Sequence, residues 1–211
     1  MRYFMQGNNV GSATPYGDNL KVGDYVQAGD AKIYYEIYGK GEPILILHGG
    51  GVGSPYELGK ILDELKKSHK LIVMSTRGHG RSEIGHSPLT YKQKADDALA
   101  VLDAVKIFEP IQILGFSDGA YTAYEIAALY PERVERITAI GAGTLKAGFF
   151  SPEISLADLE KLDEKFFVAQ KNSMRPHRVH KQFLSEMPQA HLRESFHLQV
   201  SNFLLSVSKF L

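Results

Sequence analysis

Gly115-Phe116-Ser117-Asp118-Gly119 sets a serine between two glycines, directly after the apolar run Ile111 to Leu114 and directly before a helical pattern that starts at Ala120. A G-x-S-x-G pentapeptide in a strand–turn–helix context is arranged for nucleophilic attack on a carbonyl carbon. The glycines follow from the geometry. A serine on a strained tight turn needs neighbours without Cβ, so that the backbone folds sharply and leaves Oγ exposed above the sheet. A second cluster, His48-Gly49-Gly50-Gly51, ends an earlier apolar run. Its bare amides can approach an oxyanion, with Gly50 as the candidate donor. The N–H of Asp118, which follows the serine at a helix N-terminus, is the candidate second donor. Losing one such donor typically costs about 10²–10³ in rate.

These loops need elements to carry them. Pro43 to Leu47, Leu71 to Met74, Ile111 to Leu114 and Ile137 to Ile140 are short apolar runs that fit strands buried on both faces. Between them lie helical patterns over Tyr56 to Lys67, Tyr91 to Val105 and Ala120 to Tyr130, the last stopped by Pro131. In the second, Ala95, Ala98, Leu99, Leu102 and Val105 form the apolar stripe, while Lys92, Lys94, Asp97 and Asp103 occupy the remainder. Strands alternating with helices predict right-handed crossovers and an α/β fold with a mostly parallel, doubly wound sheet. Ahead of it, YVQAG and KIYYEIYG around Gly29-Asp30 predict an antiparallel hairpin at a sheet edge. The expected division is a poorly ordered leader over 1–22, an α/β core over 23–150, a helical cap segment over 151–187 and a C-terminal helix over 188–211.

Bulk properties exclude several classes. Lys+Arg and Asp+Glu are 24 each, for a formal net charge of zero, so nothing asks for nucleic acid or an anionic membrane surface. There are no cysteines, which removes disulfides, Cys-ligated zinc, iron–sulfur clusters and a thiol nucleophile. No apolar run approaches the roughly 18 residues of a spanning helix, and residues 1–30 lack a secretory-type apolar stretch. A soluble, cytoplasmic protein with a small-molecule substrate and neither nucleic-acid nor membrane partners is expected; the sequence leaves the oligomeric state open.

The glycine cluster, the segment Arg77-Gly78-His79-Gly80-Arg81-Ser82, GFSDGA and ALYPERVERITAIGAG together resemble the α/β-hydrolase superfamily over roughly Tyr25 to Gly148. Within it the Ser-Asp-Gly elbow is similar to that of the valacyclovir-hydrolase-like and related esterase members. The resemblance implies a serine hydrolase of small esters, amides or lactones, with Ser117 as nucleophile and no cofactor. It also implies that Asp118 helps to hold a substrate α-amino group; an Asp at a helix start is equally favoured by capping and the dipole. A dehalogenase would resemble a chain with Asp where Ser117 stands. One departure is visible: the family has an Asp two residues before the arginine of RGHG, and this chain has Ser75.

A serine nucleophile needs a base and an orienting acid, and in this superfamily they follow it in the chain. The last aspartate is Asp163, inside the predicted helix opened by Ser151-Pro152, and residues 168–202 contain no apolar run of four. The late histidines are His177, His180, His191 and His197. A weak likeness of the tail to the family's closing stretch makes His197 the candidate base. Leu192, Phe196, Val200, Phe203 and Leu204 lie at helical spacing around it, which equally fits a residue beside an apolar face. Removing the base from such an enzyme costs about 10⁶ in turnover. The chain is therefore expected either to bring a late histidine to Ser117 by an unusual route or to be a truncated, inactive remnant or ligand-binding module. His48 and His79 read as loop-shaping residues. His177-x-x-His180 lacks a nearby carboxylate or cysteine and reads as solvated, as does the basic stretch of Lys171, Arg175, Arg178 and Lys181. No metal site is expected.

Overall fold

The structure, a computed structural model, describes residues 12–50 and 53–142. The strands are β1 (Gly23–Ala28), β2 (Ala31–Tyr38), β3 (Glu42–Leu47), β4 (His69–Met74), β5 (Ile111–Phe116) and β6 (Val134–Ile140). The helices are α1 (Gly59–Leu65), α2 (Tyr91–Ala104) and α3 (Asp118–Leu129), with short 3-10 turns at Pro55–Leu58 and Pro131–Arg133. They form a six-stranded sheet in the order β1-β2-β4-β3-β5-β6. From β4 to β6 every pairing is parallel, whereas β1–β2 and β2–β4 are antiparallel. The predicted mostly parallel sheet with an N-terminal hairpin is the observed architecture. Gly29 takes φ +58 at the first central position of the hairpin turn, where a left-handed conformation suits glycine.

The continuous apolar runs are explained by two packed faces. Leu45 and Leu47 of β3, Ile72 and Met74 of β4 and Ile113 of β5 meet the apolar stripe of α2 and Ala123 and Ile126 of α3. Ile44, Ile46, Leu71 and Val73 point the other way, against Leu58 and Leu62. β6 forms where Ile137 to Ile140 predicted a strand, but it is not a buried one: Glu135, Arg136, Thr138 and Ala139 are all exposed. Among the described residues it pairs only with β5.

Part of the stretch read as a poorly ordered leader, from residue 12, belongs to the described fold. Tyr16 is fully buried, edge-on to Tyr38 at 4.8 Å between ring centroids. The buried carboxylate of Glu36 accepts hydrogen bonds from the Gly17 and Asn19 N–H groups and from the Tyr34 and Tyr38 hydroxyls. A buried carboxylate is costly unless donors replace its water, and here the first residues of the fold supply two of them. The predicted cap over 151–187, the C-terminal helix over 188–211 and the metal-spaced pair His177 and His180 lie outside the described residues.

A second buried knot stabilises the loop after β4. The Arg77 guanidinium, fully buried, donates from Nε and Nη2 to both carboxylate oxygens of Asp97 at 2.9 and 2.8 Å, and from Nη1 to Asp30 at 2.5 Å. Asp97 is thus not part of the solvated remainder of α2, as its position in the helical pattern suggests, but a buried partner. The knot joins the RGHG loop to α2 and to the hairpin turn.

Candidate active site

Ser117 sits between the end of β5 and the first residue of α3, with φ +50 and ψ −114. A non-glycine residue at positive φ is strained, by roughly 1–3 kcal/mol, and persists only where its surroundings over-determine it. They do so here. The Ser117 N–H donates to the Ile140 carbonyl at 2.8 Å, and the Ser117 carbonyl accepts from Ala120 N–H at 2.9 Å. The flanking glycines are required by contact. A Cβ on Gly115 would stand 2.5 Å from the Gly119 carbonyl oxygen, and one on Gly119 would stand 2.3 Å from that of Leu47. The second approach presses the start of α3 onto the end of β3, where the other glycine cluster begins.

That cluster is fixed by His48. Its buried ring accepts the Thr76 N–H at Nε2, 3.0 Å away, and faces the Gly49 carbonyl from Nδ1 at 2.6 Å. An acceptor at Nε2 and a carbonyl at Nδ1 define a neutral ring with its proton on Nδ1. Burial, aided by His79, pushes its pKa down to about 3. The Thr76 hydroxyl bridges the two rings, 3.1 Å from His48 Nε2 and 3.1 Å from His79 Nδ1. Both histidines therefore sit where loop-shaping residues are expected.

The amides divide their tasks. Gly49 N–H donates to Glu57 at 2.5 Å, whose carboxyl is raised by burial in spite of that bond. Gly50 is the next residue, and it lies against the elbow: a Cβ there would be 2.9 Å from the Cβ of Asp118. The two residues named as oxyanion donors thus come together, on separate loops, beside Ser117. Asp118 is the first residue of α3, so its N–H has no acceptor within the helix.

The Asp118 side chain is occupied. Tyr91 Oη donates to Oδ1 at 2.9 Å, and the Lys94 ammonium makes a short ion pair with Oδ2. Lys94 Nζ also lies 5.0 Å from the Tyr91 ring centroid. Burial raises the Asp118 carboxyl, but the Lys94 charge and the two hydrogen bonds outweigh it and hold the group below the ordinary carboxylate value. Tyr91 and Lys94 were not legible as site residues, since Tyr91 only opens α2 and Lys94 falls outside its apolar stripe. Their spacing of one helical turn at its N-terminus is the signal that was available.

Ser75, which stands where the resembling family has Asp, is fully buried, and its Oγ has no hydrogen-bond partner among the described residues. Its main chain is satisfied: the N–H donates to Tyr34 O at 2.9 Å and the carbonyl accepts the Ser82 hydroxyl at 2.6 Å. Among the described residues no group of three or more His, Cys, Asp or Glu side chains is placed to hold a metal ion. His197 lies outside the described residues.

A model of the α/β hydrolase fold family matches residues 42–197. The chain belongs to the α/β hydrolase fold family. Among curated relatives of this family, it is 34% identical over 125 residues to RutD of Azorhizobium caulinodans, covering 59% of this chain and 46% of that protein. It is 28% identical over 138 residues to the serine hydrolase BPHL of Homo sapiens, covering 63% and 47%. A solved meta-cleavage product hydrolase, CumD of Pseudomonas fluorescens IP01, superposes with a TM-score of 0.65 at 23% identity over 84% of this chain and 74% of that one, which shows the shared fold. The chain spans about half the length of the curated relatives it matches. Among the described residues no helix is long and apolar enough to cross a membrane.

Proposed function

We propose that the protein is a serine hydrolase in which Ser117 attacks the carbonyl of a small ester, amide or lactone, while the Gly50 and Asp118 amides receive the oxyanion. The observation that carries this reading is the conformation of Ser117, at φ +50 between β5 and α3, held there by the Ile140 carbonyl and by two glycines whose Cβ positions are filled. Strain of this kind belongs to a residue whose side chain must project, and two loops rich in bare amides flank it. The name of BPHL, a serine hydrolase, supports the same chemistry. His197, the last residue matched by the family model, is the candidate base.

A fluorophosphonate probe tests the nucleophile. Wild-type protein is expected to be labelled and Ser117→Ala not; equal labelling of the two, or none of either, overturns the reading.

A second reading, a hydrolase-fold protein that binds without turnover, is favoured by one observation. His48, a buried histidine of the oxyanion loop, is held neutral with its ring nitrogens on Gly49 and Thr76 and is unfit to take the Ser117 proton. Without a base, turnover falls by about 10⁶ and only binding and oxyanion contacts remain. Hydrolysis of p-nitrophenyl acetate that is abolished in His197→Gln excludes this second reading.

A further inference from the structure

The Asp118 carboxylate lies against Gly50, on the residue next to the nucleophile, and is met there by two side chains of α2. Tyr91 and Lys94 are one helical turn apart, and both reach Asp118, one to each oxygen. The Lys94 and Asp118 side chains are only 14% and 20% exposed, so the pair is largely shielded from water. Lone Asp118 would present a partly desolvated negative charge beside the reacting centre, a natural seat for a substrate ammonium. Lys94 fills that seat with an ammonium that is tethered to the fold and so present at high effective concentration.

We propose that Lys94 determines specificity by occupying Asp118, so that the site takes acyl groups that carry no positive charge. The proposal rests on the reading of Ser117 as nucleophile for the place of the acyl group, and it assigns a substrate class to that site. A cationic acyl group must displace Lys94 from Asp118 and meets a like charge as it approaches. A neutral acyl group meets a net charge of zero. Tyr91 keeps the carboxylate oriented in either case, since its hydroxyl donates to the other oxygen. Removing the Lys94 charge therefore exposes an oriented carboxylate to an incoming ammonium.

The test measures binding in a Ser117→Ala background, which removes turnover. The probes are L-phenylalanine methyl ester and methyl 3-phenylpropanoate, which differ only in the amino group, at pH 6.5 where that group is largely protonated. Dissociation constants are measured by titration calorimetry or ligand-detected NMR. With Lys94→Met, and with Lys94→Gln as a polar alternative should the first fail to fold, the preference for the amino ester over the plain ester is expected to rise by about tenfold or more, the scale of one charge-assisted hydrogen bond. Lys94→Arg is expected to leave the preference as in the parent, and adding Asp118→Asn to Lys94→Met to cancel the gain. A preference that stays within about threefold in both Lys94 variants, a gain that survives Asp118→Asn, or binding of neither ester by any variant overturns the proposal. Fluorophosphonate labelling of the protein with Ser117 intact separates the two readings. Labelling without the shift in preference rejects the role of Lys94, and the shift without labelling rejects Ser117 as nucleophile.

Discussion

Gly119 and Leu47 approach so closely that a Cβ on the glycine would stand 2.3 Å from the Leu47 carbonyl oxygen. The start of α3 and the end of β3 are thereby pressed together, and the two amide-bearing loops are brought side by side. Gly119→Ala must push the helix off the strand, because the obstructing atom is backbone. A loss of about 3 kcal/mol is expected, at the upper end of overpacking effects, together with loss of fluorophosphonate labelling. Gly29→Ala is the contrast. Its Cβ would meet nothing within 4 Å, and only φ +58 opposes it, so about 1 kcal/mol is expected and labelling is retained. Urea midpoints of the two variants check the difference.

The neutral state of His48 makes stability depend on pH. Its pKa in the fold is about 3 against an ordinary 6.5, so between those values the unfolded chain binds a proton that the folded chain does not. Its contribution is complete above pH 6.5 and is lost as pH falls towards 3, with a slope of about 1.4 kcal/mol per pH unit. His48→Gln removes the titrating group. The variant is expected to be less stable than wild type at pH 7 but to lose less on going to pH 5, as read from urea unfolding at both values. Parallel losses in the two proteins would contradict the assignment.

The elbow, the glycine cluster after His48 and all six described strands were legible because each is dictated by local constraints. Strands buried on both faces read as unbroken apolar runs, and a strained serine demands glycine neighbours. Tyr16 was not legible, because its burial depends on Tyr38 and Asp63 across the chain while its own neighbours are turn formers. Asp97 was hidden for the same reason. Its helical position reads as solvated, and only the distant Arg77 explains why it is buried. Lys94 and Tyr91 became site residues only once α2 was placed beside the elbow. Local pattern carried the scaffold and the elbow serine, and long-range pairing carried the charges around them.

The Arg77–Asp97 pair is fully buried, so breaking it leaves a charge without its partner. Asp97→Ala is expected to cost about 3–5 kcal/mol, although Asp30 still neutralises part of the guanidinium charge. Arg77→Lys is expected to be nearly as damaging, since an ammonium cannot reproduce the two-pronged contact with Asp97. Lys67→Ala, which removes the exposed ion pair to Glu64, is expected to change stability by under about 0.5 kcal/mol. Thermal or urea unfolding of the three variants places them on one scale.

Ser75 offers the opposite case, a polar atom whose removal should help. Among the described residues its hydroxyl is buried without a partner, so folding strips it of water and returns nothing. Ser75→Ala deletes that oxygen while leaving the main-chain bonds to Tyr34 and Ser82 in place. A gain of about 1 kcal/mol is expected, reduced by whatever small void the oxygen leaves. Asp at this position would instead bring a carboxylate within reach of the Gly80 turn, because a Cβ on Gly80 would already stand 2.7 Å from the Ser75 hydroxyl. With no donor to Ser75 Oγ among the described residues, Ser75→Asp is expected to be destabilising in this chain, even though the resembling family carries Asp there. Urea midpoints in the order Ser75→Ala, wild type, Ser75→Asp would support this account; a higher midpoint for the Asp variant would show that the loop can reorganise to supply donors.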